Sequence, residues 1–149
     1  MHRRHYVHMG IMTILMFIAM YALMYAMVDR FANVYSNLNQ VYMAGLMTAP
    51  MVLIELAVMR SMYEDRRLNV AIVAASIVVG LGCWFGIREQ AGIGDTQFLR
   101  SMIPHHAGAI LMCEEAPVTN PEIGKLYAGI VEGQRKEIAE MKILLERTP

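Results

Sequence analysis

An all-α chain, with three transmembrane helices ahead of an extramembrane helical hairpin, follows from three features of the sequence. Hydrophobic residues fill 56% of the 149 positions, more than a single soluble core of this size buries. They are concentrated between Met9 and Ile87, in three runs of about 20 residues, the length that spans a bilayer as a helix. From Arg88 to Pro149 the charge density is that of a water-exposed segment, and the apolar residues return to helical spacing. The main break therefore lies near residue 90, between a three-helix transmembrane domain over 1–90 and an extramembrane helix-loop-helix over 91–149.

The runs Met9–Val28, Val41–Met59 and Leu68–Ile87 each reach about 30 Å at about 1.5 Å per residue. The first follows a basic start, as a signal peptide does. It is long and has no small-residue cleavage pattern behind it, so a retained anchor is expected. The connection Asp29–Gln40 is Asn-rich and Arg60–Arg67 is strongly charged. Arg3 and Arg4 share a side with Arg60, Arg66 and Arg67, whereas Arg30 in the first connection is balanced by Asp29. By the positive-inside rule the N-terminus and second connection are cytoplasmic. The hairpin is then periplasmic or extracellular, on the outer face of a bacterial cytoplasmic (inner) membrane. Tyr25, Phe31, Tyr35, Tyr42, Trp84 and Phe85 are expected at the outer interface, where amphipathic rings collect.

Within the second span, Glu55 is one turn from Arg60 and is expected to reach the interface; the alternative for a carboxylate there is a proton or ion role. Pro50 removes a hydrogen bond to the Leu46 carbonyl and is expected to bend this helix. Gly82 and Gly86 form a GxxxG pattern that permits close helix contact, within the chain or between chains. Met9, Met12, Met16, Met20, Met24 and Met27 fall within an arc of about 120° on one helix, and Met43, Met47 and Met51 are four apart on the next. Thioethers are soft ligands suited to Cu(I), and they are also good fillers of irregular helix contacts. Both readings fit these stripes.

The chain carries equal numbers of basic and acidic residues, and its basic runs stop at pairs, which excludes nucleic-acid binding as an expectation. Its two cysteines, Cys83 and Cys113, lie in different segments and make no disulfide framework.

In the hairpin, Asp95 follows a Gly-containing run and is the expected N-cap of a helix to about Glu115. Asn120-Pro121-Glu122 is a fuller start signal: a capping side chain, proline at the first helical position and an acid near the positive end of the helix dipole. Apolar residues from Ile123 to Leu145 then keep helical spacing. On the first arm Met102, His106 and Cys113 fall within an arc of about 40°, with His105 and Met112 along one edge. Pro104 just precedes the histidine pair, where a kink re-aims both imidazoles. On the second arm Gln134 and Met141 occupy the apolar stripe, with Glu137 at its edge. Thioether, imidazole and thiol form a soft set appropriate to Cu(I), less so to zinc. The plain alternatives are histidines that hydrogen-bond, methionines that fill a core and a Cys113 that acts as a small hydrophobe.

At this point a family resemblance enters. Phe98 to His106 with Ala109-Ile110-Leu111-Met112, followed by Ile130 to Met141 with Gln134, Glu137, Ile138 and Met141, resembles the bacterial domain-of-unknown-function family numbered 305. Its pattern is an MIPHH-type helix followed by a Q-x-x-E-I-x-x-M helix, and the likeness covers roughly Asp95 to Leu145. The resemblance implies a helical, ferritin-like relationship, copper binding in some exported members, and Met102, His105, His106, Met112 and Met141 as the positions to carry over.

The expectation is a membrane-anchored protein that binds Cu(I) or Ag(I) for tolerance, storage or delivery. Its metal candidates are Met102, His105, His106, Met112, Cys113 and Met141, and it has neither a catalytic residue nor a separate cofactor site. A non-metal scaffold or sensor that recruits a partner through the hairpin is one alternative. A ferritin-like redox enzyme is another, although the Glu-x-x-His pattern of di-iron sites is missing. The expected partners are membrane lipid, a metal-handling protein on the outer side, and a second copy of the chain. A dimer would assemble two hairpins into a four-helix bundle and bury their remaining apolar stripes.

Overall fold

The structure, a computed structural model, describes residues 2–148. The side chains of His2 and Arg3 are outside what it describes, and with them Arg3's part in the expected charge asymmetry. The described residues are helical with no strand: α1 (His2–Leu23), 3-10 turns at Met24–Met27 and Phe31–Asn33, α2 (Leu38–Val58), α3 (Arg66–Arg88), α4 (Asp95–Glu115) and α5 (Pro121–Arg147). Among them, Arg4–Met27, Leu38–Val58 and Arg66–Arg88 are long and apolar enough to cross a membrane. The chain forms two compact units, Met1–Leu23 with Asn39–Ala91, and Met24–Leu38 with Gly92–Pro149. The first connection thus groups with the hairpin, where the division at residue 90 had left it with the spans.

In the first unit α2 turns its small side inward: Ala44, Gly45, Thr48, Ala49, Val52 and Leu56 are buried. Helices in lipid gain nothing from expelling water, so close backbone approach at small residues supplies the contact. A Cβ at Gly45 would lie 2.6 Å from Cys83 Sγ, one at Gly80 3.4 Å from the Ala49 Cβ, and one at Gly86 3.1 Å from the Tyr42 ring. These three pairings run antiparallel along α2 and α3. Gly86 is therefore occupied within the chain, while Gly82 is exposed with nothing within 4 Å of an added Cβ. The methionine stripes are not set against each other. Met43, Met47 and Met51 face outward at 40–42% exposure, Met9 is buried with Val52, Leu56 and Tyr63, and Met24 and Met27 fall in the second unit. Pro50 is accommodated within a continuous α2.

Polar contacts tie off both ends of this unit. At one end the buried Tyr63 donates to Glu55 Oε1 at 2.6 Å, so the carboxylate has a partner where the helix ends. Asn69 Nδ2 donates to the Tyr63 carbonyl at 2.7 Å, and Tyr6 donates to Asn69 Oδ1 at 2.8 Å. Asp65 caps α3, accepting from the Arg67 and Leu68 N–H groups at 3.0 and 3.1 Å. At the other end α3 closes in a Schellman motif: the Ala91 N–H reaches the Gly86 carbonyl at 3.0 Å and Gln90 sits at φ 49°. Left-handed backbone is unfavourable for a side chain like glutamine. Here the Gln90 amide offsets it, donating to the Ile87 carbonyl at 2.7 Å and pairing with the Asn39 amide through two bonds of 3.1 Å.

The second unit has its own core. Leu99, Ile103, Ala107 and Ile110 of α4 are buried against Ile138 and Met141 of α5, with Val28, Tyr35, Met102, Val131 and Leu145 packed around them. Residues 24–38 form a third layer. A Cβ at Gly108 would meet the Met27 carbonyl at 3.4 Å, Gln97 Oε1 accepts from the Leu38 N–H at 3.0 Å, and Lys142 Nζ donates to the Ala32 carbonyl at 3.0 Å. Asn120 caps α5 as expected, accepting from the Glu122 and Ile123 N–H groups. α4 departs from expectation by one residue: its N-cap is Gly94 and Asp95 is the first helical residue. Asp95 still places its charge at the positive end of the helix dipole. Pro104 is buried inside an unbroken α4.

Burial first, then the hydrogen bond to Glu55 and its charge, pushes the Tyr63 phenol up to about 12. A raised pKa means that the folded state favours the neutral phenol. This contribution is complete below the unfolded value of about 10 and is lost as pH rises through the folded value. Ultraviolet titration of the detergent-solubilised protein should show one of the seven tyrosines ionising near pH 12, a component missing from Tyr63→Phe.

Candidate metal centre in the hairpin

Two helices joined by the short turn 116–120 must run antiparallel, and the contacts fix their register. His106 Nδ1 of α4 lies 3.0 Å from Glu137 Oε2 of α5. One helical turn away, Met102 on α4 and Met141 on α5 pack in the same apolar cluster. Each arm therefore contributes an i, i+4 pair, Met102 with His106 and Glu137 with Met141, which places both members of a pair on one helix face. Arg135 of α5 pairs with Glu114 of α4 further along the same seam.

The environment of His106 is unusual. Its side chain is 15% exposed, and Nδ1 is buried without an aligned hydrogen bond, although Glu137 Oε2 stands within bonding distance. The carboxylate oxygen lies off the ring's N–H direction. Glu137 is half exposed and has room to move. A carboxylate beside one imidazole nitrogen is the arrangement that sets the tautomer of metal-ligating histidines and leaves the other nitrogen free to bind. Met102 and Met141, each one helical turn from the His106–Glu137 pair along its own helix, bring neutral thioethers to the same seam.

The six residues singled out from sequence divide into different environments. Met141 is buried, and Met102, His106 and Cys113 are half-buried on the side of α4 that borders the seam. Cys113 lies seven residues beyond His106, about 10 Å along the axis, so it does not share that site. His105 and Met112 are exposed, and the His105 ring is tilted 59° to that of His106 with centroids 6.1 Å apart. Among the described residues no three of His, Cys, Asp and Glu come together as a metal-holding group. What the seam assembles is two thioethers, one imidazole and one carboxylate.

Sequence reasoning left out two participants. Glu137 stood at the edge of the stripe, yet its i, i+4 spacing to Met141 was the available signal. Residues 24–38 gave none, because an Asn-rich connection between two spans carries no periodicity that ties it to a distant hairpin.

Residues 88–145 match the model of a family described as a domain of unknown function, DUF305. A relative from Acanthamoeba polyphaga mimivirus, described as "Uncharacterized protein L153", is 33% identical over 112 residues, covering 74% of this chain and 72% of its own length. Only four residues follow residue 145, so this likeness extends upstream of the family segment into the apolar helices. No solved structure matches the chain.

Proposed function

This chain belongs to the DUF305 family, and we propose that it is a membrane-anchored Cu(I)- or Ag(I)-binding protein whose ion is held at the α4–α5 seam. The observation that carries the reading is the buried, unaligned Nδ1 of His106 beside Glu137, with Met102 and Met141 one turn away. The donor set fits a cuprous ion: thioether sulfur and neutral imidazole are soft to borderline ligands, and a lone carboxylate offers little to a hard divalent cation. His106, Met102 and Met141 would hold the ion and Glu137 would orient His106. No redox step is required of such a site, and its service is tolerance, storage or delivery.

In this reading the hairpin stands on the outer face of a bacterial inner membrane and the connection 59–65 faces the cytoplasm. The support is the basic content of Arg60, Arg66 and Arg67, against an Arg30 already paired with Asp29 at 3.0 Å. A second copy of the chain is the expected partner. Gly82 is open, and Ile123 and Leu126 on α5 remain 50% and 64% exposed.

Competition against a Cu(I) chelator under reducing conditions tests the metal reading. Affinity should fall at least tenfold for His106→Ala and for Met102→Leu/Met141→Leu, and change little for Cys113→Ala; unchanged affinity in the first two overturns it. Reporter fusions test the topology, with activity outside expected after Pro149 and inside near Glu64. For the assembly, mass determination in mild detergent should give a dimer that Gly82→Leu weakens, and a wild-type monomer with intact Cu(I) affinity would remove the dimer.

A further inference from the structure

We propose that α4 lies along the bilayer surface, with the side that carries residues 24–38 set into the lipid headgroup layer and Phe31 as its anchor. Gly108 and Gln97 mark that side. An added Cβ at Gly108 would meet the Met27 carbonyl at 3.4 Å, and Gln97 Oε1 accepts from the Leu38 N–H at 3.0 Å. The step from Gln97 to Gly108 amounts to about 20° around the helix and about 16 Å along it. Residues 27–38 therefore run lengthwise along one side of α4, held at both ends.

Those two ends are also where the chain enters the membrane: Met27 closes the span Arg4–Met27 and Leu38 opens the span Leu38–Val58. Met9 and Leu56 share one buried cluster toward the opposite membrane face, and 18 residues separate Met9 from Met27, as 18 separate Leu38 from Leu56. Spans matched in this way bring Met27 and Leu38 to the same depth. An upright α4 would set those depths about 16 Å apart and leave the last apolar turns of one span in water. A flat α4 sets them level.

The connection is fixed by its own contacts, so it imposes this orientation on the helix it lies against. Tyr25 donates to the Tyr35 carbonyl at 2.7 Å, Asn33 Nδ2 donates to Asp29 Oδ1 at 2.6 Å, and Val28 and Tyr35 pack into the hairpin core. Phe31, between the two span ends, is 90% exposed, so the protein itself does not bury it. The headgroup layer is where an aromatic ring so placed is favoured, and Arg30 beside it suits the same layer. His106 is on the other side of α4, about 180° around the helix from Gln97 and about 160° from Gly108. Its edge of the seam then faces water, and an ion held there exchanges with the aqueous phase. That consequence rests on the seam reading; the orientation does not.

Fluorescence quenching tests the orientation in the full-length protein, reconstituted in phosphatidylcholine bilayers whose headgroups carry a spin label. Trp84 is the chain's one tryptophan, so single probes are placed on a Trp84→Phe background. They are Phe31→Trp, with Phe98→Trp and Met112→Trp replacing exposed residues toward the two ends of α4. All three should be quenched, the α4 pair to within about twofold of each other, as for a helix lying in the interface plane. An upright hairpin would quench one of that pair and spare the other. A larger difference between the two, a pair left unquenched, or an unquenched Phe31→Trp overturns the proposal. The measurement involves no metal, so its outcome is separate from the Cu(I) competition that tests the seam.

Discussion

Where α2 meets α3 there is no water to expel, so the contact has to come from backbones brought close. Gly45 under Cys83 and Gly86 under Tyr42 provide it. A close approach at a glycine recurs in the other unit, where Gly108 admits the Met27 carbonyl to the surface of α4. Larger side chains at these positions would hold the elements apart and remove the contacts that follow: the Tyr42 bond to the Ala91 carbonyl at 2.7 Å in one unit, the burial of Val28 and Tyr35 in the other. Methionine takes the complementary role. Unbranched and flexible, it faces outward on α2 and fills the seam between α4 and α5.

The helices themselves were legible because their signals are local. A run of about 20 apolar residues has one solution in lipid. Asn120-Pro121-Glu122 states a helix start in three letters, and Asn120 caps as those letters imply. The one-residue displacement at α4 has the same origin: Gly94 fits the extended N-cap conformation, so Asp95 moves inside the first turn and acts on the dipole instead. Packing faces were harder. GxxxG pointed to Gly82 and Gly86, whereas the buried face of α3 includes Ser76 and Gly86 and meets α2 again through Gly80 and Cys83. Small residues occur on several faces of α3, and only the partner helix decides which one is used.

For the candidate site, the 3.6-residue period put Met102, His106 and Cys113 in one narrow arc with His105 and Met112 along an edge of the same face, and the edge pair is the more exposed. Register between the arms was not legible. It depends on the length of the 116–120 turn and on how Ile103 and Ile110 seat against Ile138, neither of which a periodicity reports. Glu137 opposite His106 is a consequence of that register. Residues 24–38 are the larger omission, since their partners lie some 60 to 110 residues away in sequence, as Leu38 with Gln97 and Lys142 with Ala32 show.

The donor chemistry also bears on how this hairpin folds. Thiolate zinc sites are built from groups that must ionise and repel one another until the ion arrives, so metal binding and folding become one event. Thioethers are neutral and apolar. Met141, at 9% exposure, packs with Ile103 and Ile138 as any core residue does, and Met102 joins it at the edge. Only His106 bears a cost, a buried nitrogen without an aligned partner, and the half-exposed carboxylate of Glu137 stands beside it. A core of this composition needs no ion to hold it together. Under the proposed function, that is the property needed by a site that takes an ion up and gives it away again.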